Sequence, residues 1–198
     1  MKLNWVNISF FFKKENLVKA FAKSQETPSS QGHVLFSGVR RGRTIPSGKS
    51  LEETLGEAEE GELKIADHPE ALIQKYRSLR YSKDKKKDAS RFDSFELNGN
   101  FSPISMLFSI ANYLARRDAK KYSKPLVANS DGHHPKDIGK TYNIFDPKSL
   151  NYSSEKAFRD SITYNVREGN FTTRFTPIPF WRVFHHALMM GVYKIFKR

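Results

Sequence analysis

Apolar residues cluster in five short runs along the chain, and each run ends at turn residues or a proline. This pattern is typical of buried strands, which are shorter than helices and are commonly followed by glycine, proline, asparagine or aspartate. The runs are HVLFSGV (33–39), ELKIADHP (62–69), FDSFELNGN (92–100), PLVANSD (125–131) and TYNIFD (141–146). We expect each of them to contain one strand.

Amphipathic stretches between and after these runs predict helices. Ser50 and Glu53 have the spacing of a capping box at the start of SLEETLGEAEE, and the serines of SSEKAFRDSITYNV can cap another helix. HPEALIQKYRSLR and the C-terminal FWRVFHHALMMGVYKIFKR predict two more, the second rich in aromatic residues. One further helix has a buried face that is formed by Ile104, Leu107, Phe108, Ala111, Leu114 and Ala115.

The alternation of strands and helices predicts a single α/β domain, for which 198 residues are enough. It also favours parallel strand pairing, because parallel neighbours need crossover connections. In such folds the side chains that carry function gather where the strands end. We therefore expect His33, His68, Asp131 and His133 to converge, although they lie far apart in the sequence.

The charge balance restricts the partners to consider. Thirty-four Lys and Arg residues against 21 Asp and Glu residues give a formal net charge of +13. This excess favours anionic partners, namely phosphorylated substrates, nucleic acid or membrane headgroups. The most basic run, RYSKDKKK (80–87), is interpreted as a solvated loop.

The chain contains no cysteine, which excludes disulfides, thiolate zinc sites and a cysteine nucleophile. The lack of cysteine agrees with a cytoplasmic location. No apolar run approaches the roughly 20 residues that span a bilayer, so we expect no integral membrane association. The N-terminal MKLNWVNISFFFKKENLVKAF has no small-residue cleavage site, and it is interpreted as structure and not as a signal peptide.

Acidic and imidazole side chains recur at the predicted strand boundaries. Asp131 and His133 follow PLVAN, His68 follows LKIAD, and His33 opens HVLF with Glu26 seven residues earlier. Carboxylate and neutral imidazole are the usual ligands of Zn, Mn or Fe where cysteine is missing. Each of these residues alone is more typical of a structural hydrogen-bonding role, and it is their recurrence that indicates a metal site.

The order of these motifs resembles that of the PHP (polymerase and histidinol phosphatase) superfamily. The motifs are Glu-(x)6-His-Val-Leu, Ile-Pro-x-Gly-x-Ser-x-Glu-Glu, Ile-Ala-x-His-Pro, Phe-Asp-x-Phe-Glu-x-Asn and Asn-Ser-Asp-Gly-His-His. The resemblance extends from about residue 24 to about residue 146. It implies a metal-dependent phosphoesterase that has a distorted seven-stranded β/α barrel and holds two or three divalent ions of Mn, Zn or Fe.

The resemblance also implies roles for individual residues. The metal ligands would be Glu26, His33, His68, Asp131 and His133, with Asp131 and His133 at the catalytic centre. His133 is also a candidate proton donor to the leaving group, although the ligand role is preferred. Candidates to bind substrate phosphates are Arg40, Arg41 and Arg43, with a solvated loop as the equal alternative. Residues that would support the ligands are Asp67, Glu96 and His134.

The chain departs from the family pattern at its beginning. The family opens with a His-x-His strand and an Asp-His pair, whereas no histidine here precedes His33, so about four ligands of a multi-metal site are missing. A truncated reading frame, a degenerate non-catalytic relative and a partner chain that supplies the strand are the open explanations. We expect residues 5–12 to fill the gap by packing on the sheet or on the C-terminal helix. We also expect the chain as given to be a poor catalyst.

The expected fold is thus an α/β, distorted (β/α)7 barrel of PHP type that is incomplete at its N-terminus. Residues 1–150 would form the partial barrel, and residues 151–198 a helical tail packed on it. In that tail a core stripe is expected from Trp181, Phe184, Leu188 and Phe196, with membrane binding as the alternative. His185 and His186 are interpreted as packing or surface residues.

Three functions stay open at this point. The first is a phosphoesterase that hydrolyses a phosphate mono- or diester in a nucleotide, a small phosphate ester or a nucleic-acid end. The second is a truncated or degenerate, non-catalytic PHP remnant that acts as a basic nucleic-acid-binding module. The third is a peripheral membrane protein that uses the C-terminal helix with Lys194, Lys197 and Arg198. The sequence does not decide the oligomeric state.

Overall fold

The computed structural model describes most of the chain between residues 20 and 182 and a few residues outside this range. The described residues are 7–10, 20–40, 42–71, 79, 82–99, 106–132, 135–137, 139–179, 181–182, 184–185 and 188. The strands are β1 (Asn7–Phe10), β2 (Ala20–Ser29), β3 (Gly32–Ser37), β4 (Leu63–Ala66), β5 (Ser94–Asn98), β6 (Leu126–Asn129), β7 (Tyr142–Ile144) and β8 (Thr172–Arg174). The α-helices are α1 (Leu51–Gly56), α2 (Lys85–Ser90), α3 (Met106–Lys121) and α4 (Glu155–Glu168).

The strands form one mixed sheet in the linear order β6-β5-β4-β3-β2-β1-β7-β8. Strands β1 to β4 pair antiparallel, whereas β4, β5 and β6 pair parallel. The expected distorted (β/α)7 barrel is wrong, because among the described residues the backbone pairing does not return from β7 to β6. One physical reason is the connection between β2 and β3, since a turn of only two residues, Ser30 and Gln31, permits antiparallel pairing alone.

A side chain takes the place of backbone pairing between β6 and β7. The backbone N–H of Ala128 donates to Oδ1 of Asn143 at 2.8 Å, and Nδ2 of Asn143 donates to the carbonyl oxygen of Ala128 at 3.0 Å. Asn143 is 1% exposed, and its side-chain amide thus provides hydrogen-bond partners for the backbone N–H and C=O of Ala128, which have no strand partner on the β7 side of β6. The sheet stays open at this point without leaving those two backbone groups unpaired.

Helices cover both faces of the sheet. The alternation of side chains along β3 sends Val34 and Phe36 to one face and Leu35 to the other. The first face packs against α1, α2 and α3, and the residues of its core include Leu51, Leu55, Ala89, Phe92, Phe95 and Ala119. The second face packs against α4, with Ile65, Val127, Phe145, Ile162 and Val166 among its core residues. The arrangement is a mixed sheet with three helices on one face and α4 on the other.

Most of the predicted elements are confirmed, with shorter bounds. Ser50 and Glu53 form both hydrogen bonds of the capping box at the start of α1, and Ser154 caps α4. The buried face predicted for the helix that is now α3 includes the buried Ala111 and Ala115. The helix predicted in HPEALIQKYRSLR falls largely on residues 72–78, which lie outside the described residues.

The structure agrees with the expectation for the N-terminal end of the chain and disagrees with that for the C-terminal end. Residues 7–10, within the stretch that we expected to pack on the sheet, form β1 between β2 and β7. The core stripe expected in the C-terminal helix is wrong, because Trp181, Phe184 and Leu188 are 64%, 58% and 54% exposed. Phe196 and His186 lie outside the described residues. After residue 150 the chain contributes α4 to the second face and β8 to the edge of the sheet.

No helix in the described part of the chain is long and apolar enough to cross a membrane.

Candidate metal centre

The sheet topology brings acidic and imidazole side chains to one edge. Asp67 and His68 directly follow β4, and Asp131 follows β6 by two positions. The carboxyl ends of β4, β5 and β6 lie at the same edge because these strands are parallel. Since β3 is antiparallel to β4, the start of β3 and with it His33 reach this edge as well.

Glu26 reaches the same place from β2. His33 lies opposite Pro28 in the antiparallel register, and Glu26 is two residues before Pro28, so it points to the same face of the sheet. Diagonal neighbours on one face are within reach of long side chains. A hydrogen bond joins Nδ1 of His33 and Oε1 of Glu26.

Glu26, His33, Asp67 and His68 form a compact group, which we call the quartet. Each offers one nitrogen or oxygen atom, and these four atoms all lie within 4.8 Å of one another. Nε2 of His68 is 3.2 Å from Oδ2 of Asp67 and 3.8 Å from Oε1 of Glu26. The ring centroids of His33 and His68 are 5.2 Å apart. The four side chains are between 5% and 13% exposed, so the quartet is largely shielded from solvent.

The backbone has a conformation at this edge that L-residues rarely adopt. His68 has a φ of +27° and Asp131 a φ of +42°. Such conformations persist where neighbouring groups hold them, and they concentrate at functional sites. The backbone N–H of His68 donates to Oε2 of Glu96 at 2.8 Å, and that of Asp131 donates to Oδ1 of Asn129 at 3.3 Å. The two strained residues are thus held by side chains of the parallel strands.

A buried hydrogen-bond network connects the quartet to Asp131. Besides the N–H of His68, Glu96 accepts from Nδ2 of Asn98 at 3.1 Å and from Nδ2 of Asn129 at 2.8 Å. Nδ2 of Asn98 also donates to Oδ2 of Asp131 at 3.0 Å. An unbroken chain of contacts therefore runs from His68 through Glu96 and Asn98 to Asp131, which is two residues before His133.

A glycine permits the close approach that this network needs. A Cβ atom on Gly99 would lie 3.0 Å from the carbonyl oxygen of Ser130 and 3.1 Å from Oγ1 of Thr141. The N–H of Gly99 donates to the carbonyl oxygen of Asn129 at 2.7 Å. A larger residue here would push the ends of β5 and β6 apart and separate Asn98 from Asp131.

Burial and charge oppose each other in the quartet. Burial raises the pKa of Glu26, but hydrogen bonds to His33 and His68 outweigh it and hold that pKa well below its usual range. Burial lowers the pKa of His68, but the charge of Asp67, hydrogen bonds to Asp67 and Glu26 and the charge of Glu96 together raise it well above the ordinary value. Burial raises the pKa of Asp67 and of Glu96, and each is raised further by a neighbouring carboxylate. Several carboxylates are therefore close together at this edge of the sheet, and all of them are largely buried.

The donor set of the quartet fits a divalent metal ion. Two carboxylates and two imidazoles are the ligands on which Zn, Mn and Fe sites are built when no thiolate is present. A cation in this position would balance the carboxylate charge that burial otherwise disfavours. Of the predicted ligands, the structure brings Glu26, His33 and His68 into the quartet, and it places Asp131 beside it through Asn98.

Comparison with known proteins gives one match. Residues 109–165 match the family model that is described as PHP-associated. The chain carries a PHP-associated segment. The predicted PHP resemblance is confirmed for this segment, which covers less than half of the chain. A search of curated proteins and a search of solved structures each found no match.

The PHP-associated segment spans most of α3 and α4 and all of β6 and β7. It contains Asn129 and Asp131 of the network, and also Asn143, which bridges β6 and β7. All four residues of the quartet lie before this segment. The family match and the quartet are therefore two independent observations, joined in space by the contact of Asn98 with Asp131.

The structure does not bring the predicted phosphate-binding arginines to the quartet. Arg40 and Arg43 follow the end of β3, whereas His33 is near its start, so the strand separates them by about 13 Å or more. Both are engaged with acidic side chains, since Nε of Arg40 is 3.1 Å from Oε2 of Glu59 and Nη1 of Arg43 donates to Glu62 at 2.5 and 2.6 Å. These contacts support the loop. Arg41, His133 and His134 lie outside the described residues.

Three residues make more contacts at the site than their sequence positions indicated. Asp67 was expected to support the ligands, yet the structure places it among the four possible ligands. Asn98 and Asn129 were not singled out, although both hold Glu96 in place. One signal was present, since Asn98 is two positions after Glu96 and a strand puts such residues on the same face. The predicted role of Glu96 as a supporting residue stays a prediction that its three hydrogen bonds favour.

Proposed function

We propose that this chain binds a divalent metal ion with the quartet and acts as a metal-dependent phosphoesterase of PHP type. The substrate class is a phosphate mono- or diester, in a nucleotide, a small phosphate ester or a nucleic-acid end. The observation that carries the proposal is the convergence of Glu26, His33, Asp67 and His68, whose possible ligand atoms all lie within 4.8 Å of one another. The PHP-associated segment beside it supports the reaction class.

The residues of the site support this chemistry in distinct ways. The neutral imidazoles of His33 and His68 offer ligand nitrogens, and Glu26 and Asp67 offer anionic oxygens. Asp131 lies next to the quartet and is the candidate to hold a further ion, as in the two- to three-ion site that the resemblance implies. His133 stays a candidate ligand or proton donor from its place in the sequence.

A bound Zn, Mn or Fe ion would lower the pKa of a water molecule and neutralise phosphate charge. The chain itself would contribute orientation. Glu96 fixes the backbone of His68 and, through Asn98, the carboxylate of Asp131, so their positions are set before substrate arrives. The low exposure of the quartet limits the access of bulk water and strengthens its interaction with charge.

The proposal is tested by metal content and hydrolysis in the same preparations. We expect the full chain to bind Mn or Zn, as measured by elemental analysis after dialysis and by calorimetric titration, and to hydrolyse bis(p-nitrophenyl) phosphate slowly. His33→Ala and His68→Ala should each abolish both, whereas His185→Ala, an exposed histidine on the C-terminal helix, should abolish neither. Metal binding and hydrolysis that are unchanged in both quartet variants would refute the site.

The basic, non-catalytic module is the second candidate. The observation in its favour is the net charge of +13, together with exposed lysines at Lys83, Lys86 and Lys87 around α2. A module of this kind would bind DNA or RNA with an affinity that falls steeply as salt rises. Salt-sensitive nucleic-acid binding that survives His33→Ala and His68→Ala, in a chain without hydrolysis, would select it over the phosphoesterase.

A further inference from the structure

The C-terminal helical residues expose three large apolar side chains on one face. Residues 181, 182, 184, 185 and 188 are helical, and Trp181, Phe184 and Leu188 are each more than half exposed. At 100° per residue, these three lie within an arc of about 60°. We call them the apolar stripe. Single exposed apolar residues need no explanation, but a tryptophan, a phenylalanine and a leucine on one helix face indicate a surface that binds something.

A buried ion pair fixes the orientation of this helix on the protein. Nη1 of Arg182 is hydrogen-bonded to Oδ1 of Asp137, whose side chain is only 3% exposed. The guanidinium carbon of Arg182 also lies 5.0 Å from the centroid of the Trp181 ring, so the anchor adjoins one edge of the stripe while Trp181 stays 64% exposed. The preceding Ile178 is 1% exposed, and its N–H donates to the carbonyl oxygen of Gly99 at 2.9 Å. The start of the helix is thus fixed to the domain, and the stripe faces solvent.

The charge of this part of the chain indicates what the stripe would meet. No aspartate or glutamate follows Glu168, whereas Arg174, Arg182, Lys194, Lys197 and Arg198 all do. The last 30 residues thus have five positive charges and no negative side chain. Arg174 is exposed on β8, and His185 is exposed on the helix close to the stripe.

We propose that the apolar stripe, together with the basic residues of the last 30 positions of the sequence, docks this protein on the surface of an anionic lipid bilayer. An amphipathic helix binds there with its apolar face at the level of the headgroups and acyl chains, and with Lys and Arg toward anionic headgroups. Tryptophan favours this interface because its ring is apolar with one polar N–H. The charge complementarity favours a lipid surface over a second copy of the chain, which would bring the positive charges of Arg174, Lys194, Lys197 and Arg198 against the same charges.

Vesicle co-sedimentation of the full chain tests this proposal. We expect binding to vesicles that contain phosphatidylglycerol and little binding to phosphatidylcholine alone, with binding that weakens as salt rises. The double variant Phe184→Ser and Leu188→Ser should bind at least about tenfold more weakly, since each loses an apolar side chain from the interface. In a Trp5→Phe background, the emission of Trp181 should shift to the blue on binding. The assay needs no metal and no substrate, so its result is separate from that of the phosphoesterase test.

A matched control separates the stripe from exposed aromatic surface in general. Tyr113 and Tyr164 are 67% and 61% exposed and lie on α3 and α4, so Tyr113→Ser with Tyr164→Ser should leave vesicle binding unchanged. Equal binding by the stripe variant, at an unchanged melting temperature, would overturn the proposal. So would a concentration-dependent dimer, or binding to DNA or RNA, that the stripe variant loses while the parent chain fails to bind anionic vesicles.

Discussion

The two ends of β3 both have clusters of acidic side chains, but the partners of these side chains differ. At the start of β3, Glu26 lies against His33 and His68 in the quartet. Beyond its end, Glu62 is 2% exposed and lies against the guanidinium of Arg43 at 2.5 Å. Burial is similar at the two ends. What differs is whether the neighbouring base can give up its proton.

This difference distinguishes a possible metal site at the start of β3 from a purely structural contact beyond its end. A guanidinium keeps its proton in a protein and cannot become a metal ligand, so the contact of Arg43 with Glu62 has one use, which is to fix the loop that follows β3. An imidazole can lose its proton and then binds the same cation as the carboxylate beside it. The quartet can therefore exchange its internal hydrogen bonds for a metal ion. The arginine end has no such alternative.

The largest effect is expected from Asp67→Asn in the quartet. We expect metal affinity to fall by more than the roughly 10–100-fold typical for loss of a supporting residue, because a ligand oxygen is lost together with its charge. Stability without metal should fall, because the buried imidazole of His68 loses the carboxylate whose charge raises its pKa. Calorimetric titration with Mn or Zn and urea denaturation give the two values. An unchanged metal affinity would show that Asp67 is not a ligand.

At the other end of β3, a loss of stability is expected without a loss of metal affinity. Glu62→Gln removes the charged partner of Arg43, whose side chain is 17% exposed, and should lower the free energy of unfolding by about 2–4 kcal/mol. Metal affinity should stay within about twofold of the parent chain, because the loop does not contact the quartet. Urea denaturation and metal titration on one preparation test both. A large loss of metal affinity in this variant would remove the distinction between the two ends.

An intermediate effect is expected from the network beneath the quartet. Glu96→Gln keeps the size of the side chain but replaces with an NH2 group one of the two oxygens that accept hydrogen bonds from His68, Asn98 and Asn129. We expect metal affinity to fall about tenfold, the lower range for residues that orient ligands. Glu168→Gln, at the exposed end of α4, is the control and should have no effect. A loss as large as that of Asp67→Asn would instead make Glu96 a ligand.

The elements of the sheet that were predicted best have continuous apolar runs. β3 to β7 lie within the five runs of the sequence, because strands buried on both faces show an uninterrupted apolar stretch. β2 was missed because, in its part from residue 24 onward, the buried side chains are polar. Ser24 bonds to the hydroxyl of Ser37, and Gln25 exchanges two hydrogen bonds with the backbone of Ile45. Burial of this kind depends on partners far away in the chain, so no local pattern reveals it.

The residues of the site were easier to predict than the topology that assembles them. Glu26, His33 and His68 were singled out from residue type and position and lie close together in the structure, and their role as metal ligands stays a prediction. The barrel was wrong because periodicity does not report strand direction, and the antiparallel pairing of β2, β3 and β4 was not visible in it. The expected core stripe at Trp181 failed for a related reason. Helical spacing shows which residues share a face but not what covers that face.

The smallest effect concerns Glu53 of the α1 capping box, which belongs to neither the quartet nor the arginine cluster. The hydrogen bonds from the side chain and then the backbone of Ser50 lower the pKa of Glu53. The pKa of Glu53 is thus lower in the folded chain than in the unfolded chain, where it has its ordinary value of about 4.3. The Glu53 carboxylate therefore stabilises the fold at pH values above about 4.3, and this stabilisation is lost as the pH falls through the pKa of the folded chain. Glu53→Gln should therefore melt slightly below the parent chain at pH 7.

The difference in melting temperature between the parent chain and Glu53→Gln should shrink as the pH is lowered below about 4.3. Taking the difference removes the titration of all other carboxylates, which both chains share. Ser50→Ala is the companion variant, and it should cost about 1 kcal/mol because the N–H of Glu53 loses its acceptor. Metal affinity should be unchanged in both variants. A pH-dependent difference that also changes with added Mn or Zn would mean that α1 is coupled to the quartet, and the two ends of β3 would then not act independently.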